Sequence, residues 1–459
     1  GAGVVNDCRY SKEIFTTIPL TLPLKSIFIM DNHPPGRLSG QDYKTLILAA
    51  LGGALEFYDF IIFVFFAAVI GDLFFPADIP EWLRQVQTFG IFAAGYLARP
   101  LGGIVMAHFG DVLGRKKMFS LSILLMALPT LAMGLLPSYQ SIGLAAPLLM
   151  LLMRLLQGAA IGGEVPGAWV FVAEHVPGNR TGIACGTLTA GLTVGILLGS
   201  LVAGAINRSM SPELVASTGW RLAFLLGGVF GFIALYLRRW LQETPVFRQM
   251  QQQKSLSEAL PLNTVIRFLR KSLLIPVLLT WLLSAVIVVI ILMAPALMQK
   301  MYHIPAALSL QANSIATVML LLGCIIAGSL VDRFGAGLCL SVGCLLLAIS
   351  CGLLFNVMAS QPQYLIAVYA LTGLCVGTVG IVPFIMVRAF PPAIRFSGIS
   401  LAYNLSYALF GGLTPIFVTL ALRITPMAPC GYIIGLCVMG GVIGLYLHSQ
   451  TRSLRQASA

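Results

Sequence analysis

Charge is what this sequence has least of. Only 10% of its 459 residues are Asp, Glu, Lys or Arg, where a soluble domain carries about a quarter. With 58% hydrophobic residues beside that shortage, a water-soluble globular fold is excluded, and most side chains must meet lipid or one another. The net charge of +12 would suit nucleic acid if the cations formed a patch. They fall instead at the ends of apolar runs, as in the loops of membrane proteins, so no nucleic-acid partner is expected. Histidine is nearly absent, and the five present are isolated. The nine cysteines are scattered through apolar runs without CxxC or His spacing, which argues against a metal site or a disulfide framework and for small packing residues. No nucleophile–His–acid set and no HExxH, Walker or Rossmann glycine pattern occurs. An enzyme is therefore not expected, and no cofactor is called for.

Long hydrophobic runs are what the chain has instead. A membrane-spanning helix needs about 20 mostly apolar residues, and twelve such segments can be placed. The first six run near 45–73, 86–108, 118–136, 145–172, 181–206 and 220–240. The second six run near 273–298, 308–331, 338–358, 363–390, 397–420 and 429–447. This predicts an all-α membrane protein of twelve transmembrane helices. Its expected units are an N-terminal tail (1–40), a six-helix bundle (41–241), a polar linker (242–271), a second six-helix bundle (272–447) and a short tail (448–459). Residues 1–29 precede Met30, which looks like a natural start. They are expected to be an appended or upstream-translated, disordered tail, not a signal peptide, because no small-residue cleavage site follows the short apolar stretch.

The basic residues orient the chain. Counted from Met30 and leaving out Arg99 and Arg154, 18 Lys and Arg lie on the side of the termini and linker and 5 on the other. Both termini and the linker are expected to be cytoplasmic by the positive-inside rule.

An internal repeat ties the two sets of six together. Gly110-Asp111-Val112-Leu113-Gly114-Arg115-Lys116-Lys117 joins the second and third spans, and Asp332-Arg333-Phe334-Gly335 joins the eighth and ninth. Both read Asp-x-x-Gly between apolar helices, which marks a duplication. This loop resembles the signature of the major facilitator superfamily. Copy one has Ala107 and Val112 where the signature has Gly and Arg, and copy two lacks the basic tail. The resemblance implies two pseudo-symmetric six-helix bundles, and a gate built from Gly110, Asp111, Gly114, Arg115, Asp332 and Arg333.

Inside the spans each ionisable residue is costly and marks a functional candidate. Glu56 and Asp59 are three residues apart on one face of the first helix, with Asp59 near mid-span. Two carboxylates in a low-dielectric site do not both keep a charge cheaply, so one is expected to carry a proton. Asp59 is the leading proton carrier, with Glu56 and Glu164 in reserve. Arg99 is the expected counter-ion, able to hold Asp59 or Glu56 when ionised and a substrate carboxylate when they are protonated. Gly191, Gly195 and Gly199 recur every four residues, a smooth face for close packing or a sliding seam between halves. The second half offers only milder polar residues, among them Asn404, Tyr403 and Tyr407.

Six stretches narrow the resemblance. They are Glu56-Phe57-Tyr58-Asp59-Phe60; Arg99-Pro100-Leu101-Gly102-Gly103 with Phe109-Gly110-Asp111; Gln157-Gly158 with Gly162-Gly163-Glu164; Gly219-Trp220-Arg221; Glu243-Thr244-Pro245-Val246-Phe247; and Arg395 with Asn404, Gly411-Gly412 and Pro415. In order and spacing they resemble the metabolite:proton symporter family, which carries proline, betaine, 2-oxoglutarate, citrate and shikimate. Arg154 and Gly158 match the superfamily's fourth-helix motif, whose Arg is held to contribute to proton coupling or substrate charge balance. The resemblance implies a monomeric, multi-pass carrier of the bacterial inner membrane that moves a small molecule together with protons. Arg99, Arg154, Tyr58, Gln157, Asn404 and Tyr403 are the candidate substrate contacts. A small organic acid is the first expectation. A zwitterionic osmolyte, or exchange or efflux of the same solutes, is the alternative.

Overall fold

The computed structural model describes residues 36–113, 115–240, 272–390 and 395–457. The 1–29 tail, Gly114 and the 242–271 linker lie outside the described residues, as do the side chains of Asp111 and Arg115. Among the described residues there is helix and no strand, since a backbone in lipid must satisfy its polar groups internally.

Twelve helical units follow one another. The first half holds α1 (Gly40–Phe65, continued by Ala67–Phe74), α2 (Glu81–Leu97, continued by Arg99–Leu113), α3 (Arg115–Leu135), α4 (Ala145–Ile161, continued by Glu164–His175), α5 (Thr181–Ser209) and α6 (Trp220–Leu237). The second half holds α7 (Leu274–Val286, a π-helical turn at Ile287–Met293, then Ala294–Met301), α8 (Ala306–Phe334) and α9 (Ala336–Ser360). It ends with α10 (Leu365–Val376, continued by Ile381–Ala389), α11 (Arg395–Ser406, a π-helical turn at Tyr407–Gly411, then Leu413–Ala421) and α12 (Ala428–Ala457). Eleven of these are long and apolar enough to cross a membrane, and α3 contributes the shorter apolar stretch Ser120–Leu135.

Local chemistry sets the ends and breaks. Ser39 and Asp42 form a capping box that satisfies two orphan N–H groups at the start of α1. α2 breaks at Ala98, just before Pro100, whose ring disfavours an uninterrupted helix. α8 stops at Gly335, where φ is +91°, a conformation that favours glycine.

Packing repeats with a shift of six. α1 lies on α5 as α7 lies on α11, α2 on α4 as α8 on α10, and α3 on α6 as α9 on α12. The halves meet along α5 with α8 and α2 with α11, again a symmetric pair. This is the two-bundle pseudo-symmetry that the duplicated loop implied. The glycine face of α5 behaves differently from the sliding-seam expectation. Gly191, Gly195 and Gly199 pack on Ala50, Ala54 and Ile61 of α1, inside the first half. The close seam between halves uses Gly182 and Gly186 of α5 against Gly328 of α8.

With twelve helices both described ends lie on one face, here called the terminal face; the other is the distal face. The terminal face is closed. Asp332 accepts hydrogen bonds from the N–H groups of Gly182 and Ile183, both 2.8 Å, at the start of α5, where a helix favours an anion. Arg388 donates to the Gly178 carbonyl at 3.1 Å. Toward the distal face a cavity of about 450 Å³ lies between the halves, walled by Val64–Val69, Phe89, Met293 and Leu310 and rimmed by Lys300 and Arg423. Glu81 and Trp82, at the start of α2, reach both rim cations: Lys300 at 3.4 Å and Arg423 at 4.5 Å from the indole.

Candidate transport site

Among the described residues, the first half buries three carboxylates and three guanidinium groups, and it pairs them one to one. Asp59 of α1 accepts from Arg154 of α4, Glu56 of α1 from Arg99 of α2, and Glu164 of α4 from Arg238 at the end of α6. All six side chains are 3% exposed or less. The pairs descend α1 toward the terminal face one turn at a time. Asp59 comes first, Glu56 is three residues lower, and four residues lower again is Gly52, where a methyl group would strike Glu164 and Arg238. A stray buried charge would cost several kcal/mol, so the pairing is what makes this array tolerable.

Of the two acids that Arg99 was expected to be able to hold, it meets Glu56 and not Asp59. Arg99 lies deeper toward the terminal face than Asp59, and a helix rises about 1.5 Å per residue. Glu56, one turn lower, sits nearer its level. Asp59 is taken by Arg154 instead, whose Nη1 also donates to Gln157 at 2.9 Å. Gln157 in turn donates to Thr130 of α3 at 2.8 Å. The second carboxylate oxygens, Glu56 Oε2 and Asp59 Oδ1, have no hydrogen-bond partner among the described residues. Each therefore offers an acceptor that a proton or a solute donor can use.

Aromatic rings enclose the charges. The Arg99 guanidinium lies 4.6 Å from the Tyr96 ring and 5.1 Å from Tyr407 of α11. Tyr407 stands 4.5 Å from Tyr403, which meets Trp169 of α4 edge-on at 5.3 Å. Arg154 lies 4.9 Å from Phe63 and 5.2 Å from Phe92. Tyr403 is thus near the cluster as a ring in this wall. The room left around Arg99, Arg154 and Gln157 is about 10 Å³, close to the lower limit for one water.

Two expected substrate contacts sit elsewhere. Tyr58 points away from the cluster and donates to the Ala223 carbonyl of α6 at 2.6 Å. One residue from Asp59 on a helix is about 100° around the axis, and that turn faces the neighbouring helix of the same bundle. Asn404 of α11 donates to the Gly162 carbonyl, with Ser400 3.4 Å from the same oxygen. The break in α4 at Gly162 and Gly163 bares that carbonyl, so Asn404 fastens one half to the other. Glu164, a reserve proton carrier, opens the second part of α4 and holds Arg238 and the Ser122 hydroxyl, the latter at 2.6 Å. Among the gate residues, Asp332 caps α5 as described, while Arg333 is exposed and lies 5.7 Å from the Phe334 ring. Around Gly110 the backbone is helical.

Sequence reading missed Arg238, counted with the cytoplasmic cations although it is buried, and the rings of Phe63, Phe92, Tyr96 and Trp169. A signal for Arg238 was present. Three buried acids against two buried arginines left one acid unmatched, and Arg238 ends an apolar run.

Comparison with known proteins gives consistent matches. The model of the Major Facilitator Superfamily fits residues 49–415. A Staphylococcus aureus (strain COL) protein, provisionally named a proline/betaine transporter, is 32% identical over 89% of this chain and 88% of its own. The glycine betaine/proline/ectoine/pipecolic acid transporter OusA of Dickeya dadantii is 30% identical over 93% and 86%. The citrate-proton symporter of Klebsiella pneumoniae is 30% identical over 90% and 93%. Among solved structures, the proton:xylose symporter XylE bound to 6-bromo-6-deoxy-D-glucose superposes with a TM-score of 0.72, covering 89% of this chain and 95% of that one at 16% identity. That last likeness concerns the fold.

Proposed function

The chain belongs to the Major Facilitator Superfamily, and we propose that it is a proton-coupled symporter of a small carboxylate-bearing solute. One observation carries this reading: each arginine of the central cluster is already bonded to an acid. A solute carboxylate can claim Arg154 or Arg99 only when Asp59 or Glu56 gives up its charge by taking a proton. Solute and proton then load together. When the solute leaves, the freed arginine returns to the acid and favours its deprotonation. The likeness to a citrate-proton symporter supports the same coupling. Asp59 is the first candidate for the proton, because it lies on the cavity side of the cluster. Glu164, tied to Arg238 and Ser122, suits a structural role better.

Charge balance favours an organic monoanion. The four groups Glu56, Asp59, Arg99 and Arg154 sum to zero when ionised, one proton makes them +1, and a monocarboxylate restores zero. A second reading is a zwitterion such as proline or betaine. The tyrosine faces beside Arg99 could carry its cationic end, and two of the similar proteins bear proline/betaine names. The protein would sit in a bacterial plasma membrane as a bundle of residues 41–241 and another of 272–447, with both termini cytoplasmic.

Uptake of labelled shikimate (a monocarboxylate), proline and glycine betaine into proteoliposomes tests this, with a pH gradient and a potassium-diffusion potential imposed separately. A protonophore should abolish accumulation, and accumulation that survives it overturns the proton coupling. The potential separates the two solutes. A 1:1 proton–monoanion cycle moves no net charge. A proton–zwitterion cycle moves one, for which 100 mV supplies about 2.3 kcal/mol, roughly fiftyfold in accumulation.

A further inference from the structure

The cavity and the charge cluster are separate compartments, and helix register gives the order of the layers between them. On α1 the series from the cavity inward is Phe66, Phe63, Asp59. On α2, which runs the other way, it is Phe89, Phe92, Tyr96. Phe66 and Phe89 line the cavity. Phe63 and Phe92 do not, and both are 0% exposed. They stack on each other with centroids 5.6 Å apart and interplanar angle 28°. Behind them lies Arg154, within 5.2 Å of both rings and bonded to Asp59. Two rings from two helices thus form a double layer one turn deep.

We propose that Phe63 and Phe92 are positioning residues that insulate the Asp59–Arg154 pair from the distal cavity, and so set how tightly proton and solute fluxes are coupled. The inference rests on the proton-symport reading. With the rings stacked, cavity water reaches neither Asp59 nor Arg154, and no proton exchanges there. The rings also hold the Arg154 guanidinium over their faces, which keeps it on Asp59. The chain break at Phe66, where α1 stops and restarts, lies one turn from Phe63 and supplies the place for the pair to part. A solute large enough to fill the cavity floor would push there and open the way to Arg154. Water alone would not.

Proton flux without any solute tests the insulation. Protein in vesicles loaded with a pH-sensitive dye is given an acid-outside pulse, and the dye reports proton entry. The variants Phe92→Leu, Phe92→Val and Phe92→Ala form a series of decreasing bulk, with Phe63→Leu as an independent member. Leak is expected to rise along that series, at least tenfold from wild type to Phe92→Ala, while the number of solute molecules accumulated per proton falls. Phe92→Leu, which keeps apolar bulk, should stay within about threefold of wild type. A leak flat across the correctly folded members, as judged by thermal unfolding, overturns the proposal. The series includes mild changes, so loss of folding in Phe92→Ala still leaves a readable trend. Failure of the symport reading looks different, because wild-type protein would then show no solute-dependent proton uptake whatever the leak series does.

Discussion

Between α1 and α6 the fully buried polar groups include six ions in three pairs; between α7 and α12, among the described residues, they are neutral. The centre of the second half is Asn313 of α8. Its amide nitrogen donates to the Ile291 carbonyl at 2.6 Å and lies 2.9 Å from the Tyr369 hydroxyl, which donates to the Ile290 carbonyl at 2.5 Å. Ser200 of α5 donates to the Asn313 side-chain oxygen at 2.6 Å, across the seam between halves. The two carbonyls belong to the π-helical turn of α7, where the ordinary helical ladder is disturbed and such turns collect at working sites. One fold, used twice in a chain, has thus buried polarity by two means. Ion pairs can change charge and so can be driven by protons. Neutral hydrogen bonds cannot, but they hold an irregular helix in one shape and let it go at modest cost. The division suggests chemistry in the first half and shape change in the second.

That division can be broken most directly at Asp59. Asp59→Asn fixes the protonated form, and in proteoliposomes it should bring pH-driven accumulation down to equilibration while solute exchange across the membrane continues. Accumulation that persists would move the coupling away from Asp59, to Glu56 or Glu164. The next largest effect is expected on stability. Glu164→Gln leaves Arg238 buried without its carboxylate, a loss of about 3–5 kcal/mol that thermal unfolding in detergent would report. Replacing both, Glu164→Met with Arg238→Met, should regain most of it, because an apolar pair of similar size carries no desolvation penalty. If the double variant is as unstable as the single one, the pair does more than balance charge. The smallest change is on the neutral side. Asn313→Ala strands the Ile291 carbonyl and the Ser200 hydroxyl, and should cost about 1–3 kcal/mol. The ratio of solute to protons should stay at the wild-type value even as the rate falls. A changed ratio would mean that the second half shares in coupling.

Much of the site could be read in the chain because burying charge in lipid is so unfavourable that each instance stands out. Glu56, Asp59, Arg99, Arg154 and Glu164 were all legible on that ground, and all five are buried. Arg238 was signalled only by the unmatched third acid, because a cation at the end of an apolar run reads as a cytoplasmic anchor. Only the approach of α4 and α6 reveals that it turns inward. Tyr58 and Asn404 read equally well as ligand contacts or packing groups. Which of them faces the centre depends on helix rotation, and hydropathy carries almost no information about rotation in a bundle that is apolar all round.

By itself the sequence determined the number of helices, their pairing into two sets of six and the residues that would not be charged within a span without purpose. Those follow from span length, from the duplicated Asp-x-x-Gly loop and from the cost of charge in a low-dielectric medium. The tertiary structure alone decided which acid meets which arginine, which rings cover them and which face is closed. Each of these depends on distances of a few ångströms between residues up to 308 positions apart, as Arg99 and Tyr407 are, set by how helices rotate and cross when smooth glycine faces let their backbones touch.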